Sequence, residues 1–519
     1  MISPAGKIQI QPDMSLLTDL KYYYFKNYYF RRFIRLVRHN RNDAAECQEK
    51  TLSYLLKQAA VTAFGKDHSF NKINNYQDFR KQVPARSYED FSIYTARIFN
   101  KEENVLWPGL PVYFGKSSGT VSGPKYIPVT KEYLTSTQYA ARYMIANLIT
   151  ELRNTDFIGG KVFYQADPQV FEIKNGFKCA SISAIKSHQM PNWAQLFSLP
   201  GKEIGQIKDL ILRLDKTIEA MEQQKIKIAV ALPVWLLHFL QEFEKKTGKK
   251  FRSQFPLFKI LFVSGMNYEP YESLIRQHMG NDILLLENYT ATEGNFAYQC
   301  QPGKKGMELI CNQGIFYEFI PLEQAQDEDP ERIQLKEVKV QQQYVLLIST
   351  NCGLWAYRVN DIVEFISVKP YRIVVSGRLN DIFSPFGEHL LPIQAEQAMA
   401  AVCKQMDIEL VDFTILPGFD STNGHHYICY TEFEKMPVNT ESFSRQLHKE
   451  LSERNDYYNE FNMAGIVLPP RIIQVRQKFF RDLSVLNNKN GTAQQKNRHL
   501  INDPSLKNIF STLNEQPSK

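Results

Sequence analysis

The sequence lacks most of the signatures that assign a chain at sight. None of its seven cysteines stands in a Cys-x-x-Cys pair, and the odd, scattered set argues for buried thiols in a reducing compartment. A cytoplasmic protein is therefore expected. The opening residues hold no apolar stretch of the kind a secretory signal needs. The longest apolar run, 228–240, contains Pro233 and His238 and falls short of the ~20 residues that cross a bilayer. Glycine and proline, 25 of each, are too few for collagen-like or low-complexity chain. Charge of one sign is also scarce. The 62 basic and 55 acidic residues leave +7 over 519 positions, which predicts no nucleic-acid partner. The ten histidines show no metal-ligand spacing, so a metal held by protein side chains alone is not expected. G-x-x-x-x-G-K-[ST], G-x-G-x-x-G after a strand, H-E-x-x-H and G-x-S-x-G are all absent.

What is present is an ordinary globular composition, 43% hydrophobic and 23% charged. At ~150 residues per domain the length suggests about three folding units, ample for a large core without disulfides. Residues 15–65 read as helix. Within 21–41, Lys21, Lys26, Arg31, Arg32, Arg35, Arg38 and Arg41 interleave with eight aromatics and no acid. Such a stretch could lie on a membrane surface or a partner. Packing on its own domain with a solvated basic edge is the favoured reading. A short strand at 111–114 leads into a loop of small residues, 115–125, and a helix over 131–152. Strands are expected at 161–165, 226–232, 260–263 and 282–287, with helices at 203–224 and 234–246 among them. This alternation predicts an α/β fold. From 307 to 376 the pattern turns to short antiparallel strands, a β subdomain. A turn-rich boundary at 376–392 precedes a smaller α/β stretch. The expected domains are 1–380, large, and 381–519, small. The polar chain after Asn487 reads as loop or disorder.

Three segments carry candidate chemistry. The first, 113–128, places Ser117, Ser118, Gly119, Thr120, Ser122 and Gly123 after a strand, with Lys125 behind. Small residues let backbone N–H groups approach an anion, hydroxyls add donors and the lysine adds charge, which suits a polyphosphate. A plain surface turn is the alternative. The second, 284–294, ends an apolar strand in Tyr289, Thr292 and Glu293. Ligands gather beyond the carboxyl ends of strands in layered α/β sheets. Tyr289 could stack on a base, Thr292 could donate to an oxygen, and Glu293 could ligate Mg2+. A core aromatic and an exposed acid are the alternatives. The third, 354–363 with 376–381, offers Asp361, whose carboxylate can accept two ribose hydroxyls. A hairpin-turn Asn-Asp pair is the alternative there.

In this order the segments resemble the adenylate-forming superfamily, and most closely its GH3 family of acyl acid–amido synthetases, known from plants and bacteria. The first is similar to the family's SSGT-x-x-G-x-K-x-I-P, the second to Y-x-[AS]-[ST]-E-G, the third to Y-R-x-G-D-[IV]. Upstream, Thr51-Leu-Ser-Tyr-Leu-Leu, Thr62-Ala-Phe-Gly-Lys66, Asp78-Phe-Arg, Val83-Pro and Ser87-Tyr-Glu-Asp90 also fit. The similarity covers most of 47–390 and thins beyond. Asn360 stands where the family has Gly. In the C-terminal part the family's Q-x-K-x-P-R is met by 494–498, which offers Lys496 but lacks the proline and carries Arg498 one place early.

The resemblance implies a two-step ligase with ATP and Mg2+ as cofactors. A small-molecule carboxylic acid would become an acyl-adenylate, and an amino acid or other amine would displace AMP. Ser117, Ser118, Gly119, Thr120 and Lys125 would cradle phosphates. Thr292 would sit near the α-phosphate and Glu293 would orient Mg2+. Tyr289 would face the adenine, and Asp361 and Arg378 the ribose. Lys496 would swing in with the small domain about a hinge at 378–385. Tyr139, Tyr143 and Trp193 could line an acyl pocket or be simple core. A monomer or weak oligomer is expected. The rivals are an acyl-CoA ligase of the same superfamily and a non-catalytic membrane- or partner-binding protein that keeps the fold.

Overall fold

The computed structural model describes residues 30–117, 124–152, 156–265, 268–379, 383, 385, 390–420, 424–437, 439–487, 497–501 and 506–515. A strand buried on both faces reads as a continuous apolar run, and Ile260–Ser264 is such a strand. It lies inside a twelve-stranded sheet. To one side run Ile226–Ala231, Lys161–Tyr164 and Ser198–Leu199, all parallel. To the other comes Leu284–Thr290, parallel to it and antiparallel to Asn295–Tyr298. Beyond follow Met307–Leu309, Tyr371–Arg378, Tyr357–Val368, Gln343–Thr350, Ile315–Pro321 and Ile333–Gln334, each antiparallel to its neighbour. The antiparallel stretch expected over 307–376 is present, and it continues the parallel half without a break. Leu284–Thr290 is thus the strand at which the sheet changes sense, and the loop 291–294 leaves its carboxyl end.

A second sheet pairs the hairpin Tyr113–Ser117 and Lys125–Val129 with Phe177–Ala180 and Glu172–Lys174. The helix Lys131–Leu152 follows the hairpin directly, on the bounds the sequence predicts. Thr130 starts it: its hydroxyl oxygen accepts from the Tyr133 N–H at 3.0 Å and its O–H donates to Asn351 O at 2.8 Å.

Other helices depart from expectation at identifiable residues. The span 203–224 breaks into Lys202–Gly205 and Leu210–Met221, because Asp209 caps a new helix by accepting from Leu212 N. The span 15–65 yields Phe30–Asn42, Ala44–Ala59 and Ala63–Asp67, the last capped by Thr62. Residues 21–29 of the basic-aromatic stretch lie outside the described residues. From Phe30 on, the helix packs on its own domain. Arg41 reaches buried Glu308 at 2.8 Å, Glu151 at 2.7 Å and Asn147 at 2.8 Å, and Phe33 meets Tyr139 edge-on at 5.6 Å. Arg32, Arg35 and Arg38 face outward. No described helix is long and apolar enough to cross a membrane.

The C-terminal part has its own core, built on Phe413, Tyr427, Phe443 and Leu447. Its helix Pro392–Met406 begins where the sequence boundary ends, with Pro392 supplying the first-turn φ and no lost hydrogen bond. The hairpin Glu409–Asp420 and Gly424–Lys435 pairs with Val467–Gln474. All seven cysteines are buried and free.

Candidate active site

The strand Leu284–Thr290 delivers Tyr289 beside the long strand Tyr357–Val368. Tyr289 Oη donates to Asp361 Oδ2 at 2.6 Å. Asp361 is not in a hairpin turn. It pairs across the ladder with Arg378, whose Nε donates to Asp361 Oδ1 at 2.7 Å. The residue before it, Asn360, has φ +65°. That is the left-handed region, where Gly is at ease and Asn is the next best tolerated, so Asn360 holds a conformation that suits either residue. Arg378's own charge is favoured first by Asp361 and opposed by burial. The Tyr289 phenol is pushed well above its usual range, first by burial and then by Asp361, so it stays a donor. Its ring lies against Phe296, 4.8 Å between centroids.

The loop that follows is nearly enclosed. Thr292 and Glu293 are both buried. Tyr133 Oη donates to the Thr292 carbonyl at 3.0 Å, tying the loop to the helix Lys131–Leu152. Tyr357 Oη stands 3.3 Å from Glu293 Oε1, tying it to the third segment. Burial raises the Glu293 carboxyl, while Arg378 and Lys125 act against the rise. Lys125 therefore belongs to the same electrostatic neighbourhood. Ser117 is its ladder partner, one strand over. The hairpin also passes close to the loop: a Cβ on Gly115 would sit 2.6 Å from Thr292 Cγ2. Only glycine lets that strand approach. The structure thus brings Ser117, Lys125, Tyr289, Thr292, Glu293, Asp361 and Arg378 to one place. Ser118, Gly119, Thr120 and Lys496 lie outside the described residues, as do 380–382 and 384 of the expected hinge.

Sequence reasoning missed three contributors. Tyr133 and Tyr357 position the loop. Lys186, on the short helix Ile182–His188, donates to Asn295 Oδ1 at 2.8 Å, just beyond Gly294. Burial lowers its ammonium to about 8, and among the described residues no carboxylate pairs with it. A lysine among Ile182, Ala184 and Ile185 on a seven-residue helix was the only signal. Of the residues considered for an acyl pocket, Tyr143 is core and donates to Glu308, Tyr139 packs on Phe33, and Trp193 is partly exposed.

Mg2+ keeps several waters and takes one or two carboxylates together with substrate phosphates. Glu293 fits that demand as a single buried carboxylate whose charge lacks full compensation. Among the described residues no group of three or more His, Cys, Asp or Glu side chains could hold a metal on its own.

Residues 34–214 match the GH3 family N-terminal domain, 308–378 the GH3 family central domain and 393–505 the GH3 family C-terminal domain. The chain belongs to the GH3 family. Among its curated relatives is jasmonoyl–L-amino acid synthetase JAR4 of Nicotiana attenuata, 22% identical over 463 residues, which cover 75% of this chain and 79% of the relative. Indole-3-acetic acid-amido synthetase GH3.3 of Arabidopsis thaliana is 23% identical over 40% of this chain and 36% of its own. Among solved structures, AtGH3.15 acyl acid amido synthetase in complex with 2,4-DB superposes with a TM-score of 0.77 at 17% identity, covering 93% of this chain and 96% of that one. A 2-hydroxyisobutyryl-CoA ligase in complex with 2-HIB-AMP gives 0.55 at 12% identity, covering 93% and 91%. The GH3 fold and the wider adenylate-forming fold are therefore both those of this chain.

Proposed function

We propose that this GH3 protein is an ATP-dependent acyl acid–amido synthetase. A carboxylate oxygen of a small organic acid attacks the α-phosphorus of ATP, and the bond to pyrophosphate breaks. An amine, in the first place that of an amino acid, then attacks the acyl carbon. The C–O bond to AMP breaks and the amine gives up a proton. The observation that carries this reading is Asp361, held between Tyr289 and Arg378 within reach of the Thr292–Glu293 loop.

Asp361 accepts the ribose hydroxyls, and Tyr289 and Arg378 fix its rotamer. Ser117, Ser118, Gly119, Thr120 and Lys125 receive the phosphates. Thr292 donates near the α-phosphate. Glu293 would hold Mg2+, which when bound neutralises phosphate charge. Lys186, the uncompensated cation, meets the carboxylate of the incoming acid. Acid and triphosphate repel one another, so positioning and fixed positive charge are the work of the site. Residues 1–380 form the body and 381–519 a mobile cap that brings Lys496 to the phosphates for the first step. The names of the relatives, a jasmonoyl–L-amino acid synthetase and an indole-3-acetic acid-amido synthetase, support amide formation.

The test is exchange of labelled pyrophosphate into ATP across aryl, indole and fatty acids, followed by comparison of amino acids with CoA as acceptors. Acid-dependent exchange and an amide product are expected. A thioester alone would make the chain an acyl-CoA ligase. No acid-dependent exchange, with the protein folded, would leave a non-catalytic member of the family.

A further inference from the structure

One cluster of buried charges that the proposed reaction does not use lies where the small domain meets the large one. Tyr271 ends the turn Glu269–Tyr271 and is fully buried. Its hydroxyl donates to Asp412 Oδ1 at 2.8 Å and lies 3.0 Å from His499 Nε2. Asp412, on the strand Glu409–Asp420, is also fully buried. It accepts further from Phe413 N at 2.8 Å and from Asn497 Nδ2 at 2.6 Å. His499 pairs with Glu396 through Nδ1 at 2.6 Å and with Asp412 through Nε2 at 3.2 Å. Its ring stacks on Phe413, 4.2 Å between centroids. The main chain on either side is fixed to the same strand: Ile415 N donates to His499 O at 2.7 Å, and Ile501 N to Ile415 O at 3.0 Å. Burial disfavours the imidazolium, but the two carboxylates more than offset it and raise the group to about 10.

This cluster is an imidazolium between two carboxylates, so it holds one negative charge in excess. Neutral donors must cover the remainder. Asn497 and the Phe413 amide come from the small domain, and the Tyr271 hydroxyl comes from the large one. A buried ionic cluster adds little stability over apolar packing of the same volume. Its attested use is to select one arrangement among several. Here the arrangement selected is that of two domains, because turning the small domain away removes a donor from Asp412 and opens a charged cluster.

We propose that Tyr271 is a positioning residue that latches the small domain, through Asp412 and His499, in the orientation seen here, and so sets the division between the two half-reactions. The second clause rests on the two-step reading above. The latch itself is measured by geometry rather than turnover. All seven native cysteines are buried, so Lys57→Cys and Lys449→Cys, at exposed sites on the two domains, can carry spin labels in the full chain. The interdomain distance distribution of the labelled protein without ligand is expected to be single and narrow. Two comparable populations in the otherwise unaltered chain would overturn the latch before any further variant is made.

Tyr271→Phe keeps the ring and removes the one oxygen. It is expected to split or broaden the distribution and to change the ratio of pyrophosphate exchange to amide formation roughly 10- to 100-fold, the weight of one hydrogen bond to a buried charge. His499→Gln is expected to move both readouts in the same direction. A melting curve identifies either variant that does not fold. Wild-type distributions in the folded variants would overturn the proposal. A shifted distribution in a protein that shows no exchange with any acid would keep the latch and remove the two-step reading.

Discussion

Replacing Asp361 by asparagine changes one atom in the proposed ribose site and leaves its volume. A carboxylate offers about four lone-pair positions. Tyr289 at 2.6 Å fills one on Oδ2 and Arg378 at 2.7 Å fills one on Oδ1, so each oxygen retains one for a ribose hydroxyl. An amide has one acceptor oxygen and turns N–H donors toward the other partner. Arg378 has a side chain 52% exposed and can turn to water, whereas Tyr289 is buried and cannot. The amide oxygen therefore faces Tyr289, and the arginine bond and one ribose bond are lost. A hydrogen bond to a charged group contributes about 1.5–3 kcal/mol. The ATP KM in pyrophosphate exchange should rise roughly 10- to 100-fold at saturating acid. Stability should fall by only about 1 kcal/mol, because the Arg378 pair is partly screened by solvent. An Asp361→Asn protein with the wild-type KM for ATP would refute the ribose assignment.

Three other perturbations probe different levels of the structure. Lys186 is charged below about 8 and neutral above, so the KM for the acid should rise as pH passes upward through about 8. Lys186→Arg should hold it low across that window, Lys186→Met should hold it high and flat, and a flat wild-type profile would contradict the role. Gly115→Ala places a methyl 2.6 Å from Thr292 Cγ2 and displaces the loop. Exchange should fall by about 100-fold with a modest change in melting temperature, since small misplacements at a reacting centre are costly; equal losses of activity and stability would show that the contact is only packing. Glu318→Gln leaves Arg332, which is buried and otherwise bonded to Val83 O, without its anion. Urea unfolding should report a loss of about 3–5 kcal/mol, and a neutral result would mean that the buried pair is offset by its own desolvation.

Much of the site was legible as three ordered segments, because each carries residue types whose chemistry is local. Ser117 with Lys125, Thr292 with Glu293, and Asp361 all fall on strands or strand ends, where a period of two and a following turn can be read. What joins them was not legible. The ladder between Asp361 and Arg378 depends on the register of two strands, and side-chain alternation reports a face but not a partner. The bond from Tyr357 to Glu293 joins parts of one sheet that are not neighbouring strands, and the approach of Gly115 to Thr292 joins two sheets. Lys186 was invisible because a lysine on a short helix is ordinarily solvated, and only its enclosure makes it a candidate. The same contrast holds for the fold. The helix Lys131–Leu152 was read on its observed bounds, since its first turn follows Thr130 and no Gly or Pro interrupts it. The span 203–224 was read through a break that Asp209 makes by capping. The Tyr271–Asp412–His499–Glu396 cluster joins residues that are far apart in sequence, so no local pattern could mark it.

The central claim is that an acid's carboxylate oxygen becomes bonded to AMP before the amine arrives. Single turnover with a carboxyl-oxygen-18-labelled acid, chosen from the exchange screen, and an amino acid tests this directly. One labelled oxygen is expected in the AMP released, with pyrophosphate unlabelled. Label in orthophosphate with ADP as the nucleotide product would contradict it, because the acid would then have attacked the γ-phosphorus.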